Sequence, residues 1–276
     1  MRVHAISTGT VSITSRQRRG EGSGPLRPLR TMLDREFTEP LPIWVWAIEH
    51  PEGVIVVDTG ETARTGEPGW FPRWHPYYRF ALKLDVSPEQ EIGPQLRERG
   101  IDPGDVRKVV LTHLHTDHAG GLDHFPNAEF LVSATERRLA AGTMGRLRAY
   151  LPHRWPEWFA PTAVEPRAEP FGPFRRSLAV TDSGDVRIVP TPGHTPGHLS
   201  VVLDEGEQLV FFAGDTSYSE GLLLEGVPDG VCPDPDVARA TMAQIRELAA
   251  ERPTVYLPAH DAEAGERLEA RRPVGR

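Results

Sequence analysis

The stretch that decides the fold runs from 106 to 118: Val106-Arg107-Lys108-Val109-Val110-Leu111-Thr112, followed at once by His113-Leu114-His115-Thr116-Asp117-His118. The first seven residues are mostly β-branched or apolar, the pattern of a strand buried in a sheet. The next six carry three histidines and an aspartate where that strand ends. Alternation along an extended chain puts His113 and His115 on one side, and Asp117 continues it. Gly120-Gly121 then permit a tight turn that swings His118 toward a second centre. With 11 His and 15 Asp in the chain, H-x-H-x-D-H arises by chance about once in a thousand such sequences, so the cluster is read as functional. Imidazole and carboxylate together suit zinc or a neighbouring transition metal. Four such groups in six residues exceed what one catalytic metal with an open position accepts, so two metals are the simpler reading.

Two metals need further ligands, and a scaffold supplies them best from the ends of other strands. Three candidates stand at strand exits. His194 lies in Thr191-Pro192-Gly193-His194 after a strand at 186–190. Asp215 lies in Ala213-Gly214-Asp215-Thr216 after one at 208–213. His260 lies in Leu257-Pro258-Ala259-His260-Asp261 after one at 254–257. Further strands are expected at 3–14, 130–132 and 199–203, with a hairpin of 43–49 and 54–58 turning through Pro51-Glu52-Gly53. Helices are expected at 88–99, 135–149 and 236–250, the last with Val237, Thr241, Ile245 and Leu248 along one face, and a short one after His260. Strand runs, then alternating strand and helix, then strands again suit two β-rich halves with helices outside: an α/β chain built as an αββα sandwich, a single domain over 1–276. The segments 16–40 and 143–175 read as long loops, the first rich in arginine and expected to be solvated.

Composition removes several classes. No run reaches the ~18 apolar residues of a membrane span. The N-terminus lacks the apolar core of a signal peptide, and Cys232 is the only cysteine, so an intrachain disulfide and a thiolate cage are both excluded and a cytoplasmic location is expected. A net charge of −8 argues against a nucleic-acid partner over the whole surface. Six aromatics, Trp70, Phe71, Trp74, Tyr77, Tyr78 and Phe80, crowd eleven residues, and Trp155, Trp158 and Phe159 form a second group. Either could wall an apolar groove, though the first is read foremost as packing or a dimer contact. His198 is read as a supporting or core residue, and His4, His50, His75, His124 and His153 as surface or packing histidines.

The ordered set H-x-H-x-D-H, then His194, Asp215 and His260, resembles the metallo-β-lactamase superfamily over roughly 54–260. That resemblance implies His113, His115 and His194 on one metal, Asp117, His118 and His260 on a second, Asp215 bridging them, and Asp58 of Asp58-Thr59-Gly60 in support. Among its members the chain is most similar to the N-acyl-homoserine lactone lactonases. They share Gly193-His194-Thr195-Pro196-Gly197-His198-Leu199-Ser200, a Tyr three residues after the bridging Asp (here Tyr218), and a terminal His-Asp, although Ala259 stands where they have Gly. Cys232 is not at a ligand position, His115 stands where the flavodiiron proteins have Glu, and the 16 residues after His260 leave no room for the helical domain of hydroxyacylglutathione hydrolases. The resemblance implies two divalent ions, zinc foremost with cobalt, manganese or iron as alternatives, and a bridging hydroxide that attacks a lactone carbonyl. Asp117 would pass a proton to the leaving oxygen, and Tyr218 would steady the oxyanion. The alternatives are another ester or phosphotriester hydrolase on the same metals, a mononuclear iron oxygenase acting on persulfides, and a nucleic-acid-processing enzyme. A homodimer is expected by analogy alone.

Overall fold

The computed structural model describes residues 1–20, 24 and 26–275. In chain order its strands are β1 (Arg2–Ile13), β2 (Leu41–His50), β3 (Gly53–Val57), β4 (Leu82–Asp85), β5 (Lys108–Val110), β6 (Glu129–Ser133), β7 (Thr162–Val164), β8 (Leu178–Ala179), β9 (Val186–Pro190), β10 (Leu199–Asp204), β11 (Leu209–Gly214) and β12 (Thr254–Pro258). One sheet has the order β4-β1-β2-β3-β5-β6-β7 and the other β12-β11-β10-β9-β8. In the first, β1 to β3 form an antiparallel meander, and β3, β5, β6 and β7 run parallel. Parallel neighbours need crossovers, which is why the chain between β3 and β7 carries helices.

Side-chain alternation explains the layers. Along β2, Trp46 and Ile48 turn inward to meet Val210 and Phe212 of β11 and Val255 and Leu257 of β12, forming the core between the sheets. Val45 and Ala47 turn outward beneath the helix Ile92–Glu98, with Ile92 and Leu96. On the far side, Phe211 and Tyr256 lie under the helix Pro235–Glu251 through Met242, Ile245 and Leu248. Both sheets are thus covered on both faces, the αββα sandwich expected from the sequence. No helix among the described residues is long and apolar enough to cross a membrane.

Several local expectations need correction. The helix expected at 135–149 is two helices, Ala134–Ala140 and Gly142–Leu147, because Ala141 turns extended at ψ 146° and Gly142 follows at φ +66°. Helix Pro235–Glu251 buries Ala238 and Met242 beside Thr241, Ile245 and Leu248, while Val237 is exposed. The helix at 88–99 opens with a 3₁₀ turn and becomes α-helical only at Ile92. The stretches read as loops hold short elements: helices Ser15–Arg18 and Arg27–Met32 in the first, helix Gly142–Leu147 and β7 in the second. Residues 21–23 and 25 of the first stretch lie outside the described residues. Nor is that stretch simply solvated. Gln17 and Arg27 are buried, and Arg27 donates to the carbonyls of Asp229 and Cys232. Short polar segments escape periodicity analysis because their structure comes from such long-range partners.

Candidate metal centre

The exits of β5, β9, β11 and β12 point to one edge of the sandwich, and each delivers side chains there. His113 and His115 leave β5 by an extended turn, and Thr116–Ala119 then makes one helical turn that brings Asp117 and His118 round. All seven residues anticipated as ligands converge. The ligand atoms of His113, His115 and His194 lie within 4.8 Å of one another, and those of Asp117, His118 and His260 do likewise. Asp215 faces both groups. Its Oδ1 is 3.3 Å from His118 Nε2 and 3.4 Å from His260 Nε2, and its Oδ2 is 3.5 Å from His194 Nε2. Asp117 Oδ2 lies 3.3 Å from His260 Nε2.

Hydrogen bonds behind the histidines decide which ring nitrogen faces inward. Asp58, in the left-handed region at φ +62°, accepts from the Thr112 N–H at 2.7 Å, the Thr112 hydroxyl at 2.9 Å and His118 Nδ1–H at 2.9 Å. The Thr112 hydroxyl has spent its proton on Asp58, so it accepts from His113 Nδ1–H at 3.1 Å. His194 Nδ1–H donates to Asp229 Oδ2 at 3.3 Å, and His260 Nδ1–H donates to the Pro42 carbonyl at 2.9 Å. Four imidazoles therefore aim an Nε2 lone pair into the centre, the arrangement by which outer carboxylates and carbonyls orient metal-bound histidines.

Those lone pairs test whether a cation fits. His115 Nδ1 is 3.0 Å from both His113 Nε2 and His194 Nε2. One proton on His115 can satisfy one of these two contacts, whereas a cation accepts the lone pairs of all three nitrogens. The spacing is close to the ~3.3 Å edge of a tetrahedron with metal–nitrogen bonds of ~2.0–2.1 Å. His118 Nε2 and Asp215 Oδ1 are buried without a hydrogen-bond partner, as expected of groups built to face a metal. The residues fit divalent ions.

The same electrostatics act on the protonation of these side chains. Burial disfavours charge on His118 and His260, yet Asp215 and the neighbouring carboxylates prevail and hold both above an ordinary histidine, His260 at about 10. Burial also works against ionised Asp117 and Asp215, but the facing imidazoles keep both carboxyls low, Asp117 at about 2. His115 is pushed down to about 3 by burial and by His194 beside it. A proton and a cation therefore compete for the same inward-facing atoms of His118 and His260.

Surrounding residues fall into place, several unanticipated. His198, read as supporting, accepts from the Asp215 backbone N–H at 3.0 Å and so anchors the chain at the residue between the groups. Asp229 orients His194 and was not singled out, since it sits outside any strand pattern. Tyr150 lies against the His115 ring, centroids 5.0 Å apart. Tyr218 is buried with its ring 5.5 Å from that of His260. A cavity of about 440 Å³ opens above the centre, with Asp117, Asp215, His115, His194, His260 and Tyr218 in its lining.

The aromatic expectations divide. Tyr77 and Tyr78 line this cavity, as do His75, read as ordinary packing, and Gln17 and Met32 from the arginine-rich segment. Trp70 packs beneath Arg64 and Arg154 instead, and Trp74 and Phe80 are exposed. Trp155 and Phe159 pack on the outer core near Phe130 and do not wall the cavity. Alternation and composition report that an aromatic is buried, not against what.

Comparison with known proteins agrees with this geometry. Over 187 residues the chain is 34% identical to a probable metallo-hydrolase of Mycobacterium tuberculosis, an alignment covering 65% of this chain and 58% of that protein. The chain thus spans less than two thirds of that relative's length. Over 232 residues it is 29% identical to the N-acyl homoserine lactonase AiiA of Bacillus thuringiensis subsp. kurstaki, covering 81% of this chain and 82% of AiiA. The fold is shared with a crystal structure of a B. thuringiensis AiiA mutant that has N-decanoyl-L-homoserine at its active site (TM-score 0.74, 22% identity, 96% of this chain and 94% of the other). It is also shared with AidC, a dizinc quorum-quenching lactonase (TM-score 0.65, 17% identity, 95% and 88%). A family model described as the metallo-beta-lactamase superfamily matches residues 38–260, from the strand that supplies Pro42 behind His260 to His260 itself, and the chain belongs to that superfamily.

Proposed function

We propose that this chain is a metal-dependent hydrolase that opens the lactone ring of N-acyl homoserine lactones. In this reading two divalent ions, zinc foremost, are held by His113, His115 and His194 on one side and Asp117, His118 and His260 on the other, with Asp215 between them. The observation that carries the reading is the pair of donor groups facing one aspartate at the floor of a cavity with apolar walls. When bound, such ions bring the pKa of coordinated water toward neutrality and polarise a carbonyl.

The chain's own residues supply the remaining functions. Asp117 is the least buried of the three acceptors at the centre, Asp58 and Asp215 being nearly enclosed, and it lines the cavity. Its carboxylate is placed to carry a proton to the departing ring oxygen. Burial keeps the Tyr218 phenol protonated, and its hydroxyl donates to the oxygen on which charge develops. Val11, Ile13, Met32, Leu82, Leu139 and Leu147 offer an acyl chain an apolar wall that excludes water. The likeness to AiiA over four fifths of both chains supports the lactone as substrate.

The test is zinc-loaded protein with N-hexanoyl homoserine lactone, acid release followed in a pH-stat and metal counted by elemental analysis. Ring opening well above buffer, with close to two ions per chain, is expected. Survival of lactones of every chain length, with turnover of aryl esters or phosphotriesters, would transfer the reading to the alternative hydrolase. One iron per chain would favour the oxygenase. The proposal includes one domain over 1–276, a cytoplasmic location and a homodimer, the last open to light scattering.

A further inference from the structure

Beside the metal-ligating side chains, three polar groups meet in the cavity wall. Gln17, on the short helix Ser15–Arg18, is buried and held at both ends of its backbone: its N–H donates to Thr14 Oγ1 at 3.2 Å, and its carbonyl accepts from the Gly230 N–H at 2.7 Å. Its side-chain Nε2 lies 3.0 Å from the Tyr77 hydroxyl and 3.2 Å from the Tyr218 hydroxyl. Both tyrosines and Gln17 line the cavity with Asp117, Asp215 and His260.

An amide nitrogen donates and cannot accept. With both N–H bonds directed at phenol oxygens, each phenol accepts from Gln17 and keeps its own proton for another acceptor. No protein acceptor takes either proton among the described residues. The opposite amide orientation would turn both phenol protons onto Gln17 Oε1 and bury two unpartnered N–H bonds. The observed one leaves a single buried carbonyl oxygen, Oε1, unpartnered, which structures tolerate better. The polarity of the wall is therefore set by one side chain. Burial holds both phenols well above an ordinary tyrosine, so they stay protonated donors.

We propose that Gln17 is a positioning residue that presents the Tyr77 and Tyr218 hydroxyls as a paired donor cradle for one substrate oxygen beside the metal centre. This rests on the hydrolase reading above and adds to it. Tyr77 becomes a second group touching substrate, and the class of substrate is narrowed to those with an oxyanion or carbonyl oxygen free to accept two hydrogen bonds.

The test compares Gln17→Glu, Gln17→Met and Tyr77→Phe in the metal-loaded protein, with metal content and melting temperature as controls. A carboxylate at position 17 accepts both phenol protons and turns them from the cavity. Methionine removes the amide without supplying a competing acceptor. Affinity for the ring-opened N-hexanoyl-L-homoserine is measured by calorimetry, and kcat and KM on whichever lactone or ester the wild type turns over. Gln17→Glu should weaken product binding and lower kcat by about 30-fold, Gln17→Met by about 5-fold, and Tyr77→Phe by about 10-fold, as expected for donors to a charged oxygen. Equal effects of Glu and Met at position 17 would reduce Gln17 to packing and overturn the proposal. So would a Tyr77→Phe variant with unchanged product affinity, a result that stays decisive if Gln17→Glu does not fold. Failure of the wild type on lactones is a separate outcome: it refutes the substrate, while the variant ratios on another ester still judge the cradle.

Discussion

Replacing Asp58 by asparagine perturbs the centre without touching a ligand. Asp58 Oδ2 accepts from both the Thr112 hydroxyl and His118 Nδ1–H, and Oδ1 accepts from the Thr112 N–H. Asparagine has the same shape and tolerates the left-handed φ of +62° at this position, so backbone strain is not the cause of any effect. With its oxygen kept on the Thr112 N–H, its NH₂ meets two groups that had been donors. Thr112 and His118 must then reverse. His118 Nδ1 becomes an acceptor and its proton moves to Nε2, the atom that faces Asp215. The Thr112 hydroxyl, now an acceptor from Asn, is free to donate to His113 Nδ1, which protonates His113 Nε2 as well. Turning the amide round instead sets its NH₂ against the Thr112 N–H, leaving a buried clash of donors. Either way a charge-assisted hydrogen bond is lost, worth about 1.5–3 kcal/mol. That corresponds to about 10- to 150-fold weaker zinc binding, overlapping the ~10- to 100-fold found when partners behind metal-bound histidines are removed. Competition against a chromophoric chelator at pH 7 reads this directly, and circular dichroism confirms folding. Zinc affinity within twofold of the wild type, in a folded variant, would refute the account of how these histidines are oriented.

Other expectations are as concrete. Asp215→Ala should lower metal stoichiometry and rate together, because one carboxylate faces both donor groups; elemental analysis beside kinetics checks it. Tyr218→Phe should retain the metals and cost about 10-fold in kcat, and full activity would remove the phenol from the reaction. Glu61 is buried with Oε2 unpartnered, and burial, with Asp117 nearby, raises its carboxyl to about 8. The folded chain therefore binds more protons than the unfolded one between about pH 4.5 and 8, so this group makes stability fall as pH rises through that window. Glu61→Gln, which mimics the protonated acid, should flatten that fall in melting temperature measured from pH 5 to 8; an unchanged slope would show that Glu61 ionises freely.

The sequence by itself determined the layers and the chemical inventory of the centre. The continuous apolar runs in 43–49, 208–213 and 254–257 are a local property, and they mark strands whatever surrounds them. The histidines and aspartates stood out because they sit where those runs stop. Their identity as donors was legible, since imidazole and carboxylate carry that chemistry in any context. Tertiary structure decided what each donor faces. No local signal in Pro228-Asp229-Gly230 says that Asp229 orients His194, and none in Gln17 says that it reaches two tyrosines 60 and 201 residues away. The break after Ala140, the exposure of Val237, and the lining of the cavity by Tyr77 and Tyr78 while Trp74 and Phe80 face solvent are of the same kind. Periodicity records how a segment pairs with itself. Which proton points into the cavity depends on hydrogen bonds between segments far apart in the chain, and those exist only once the two sheets have closed.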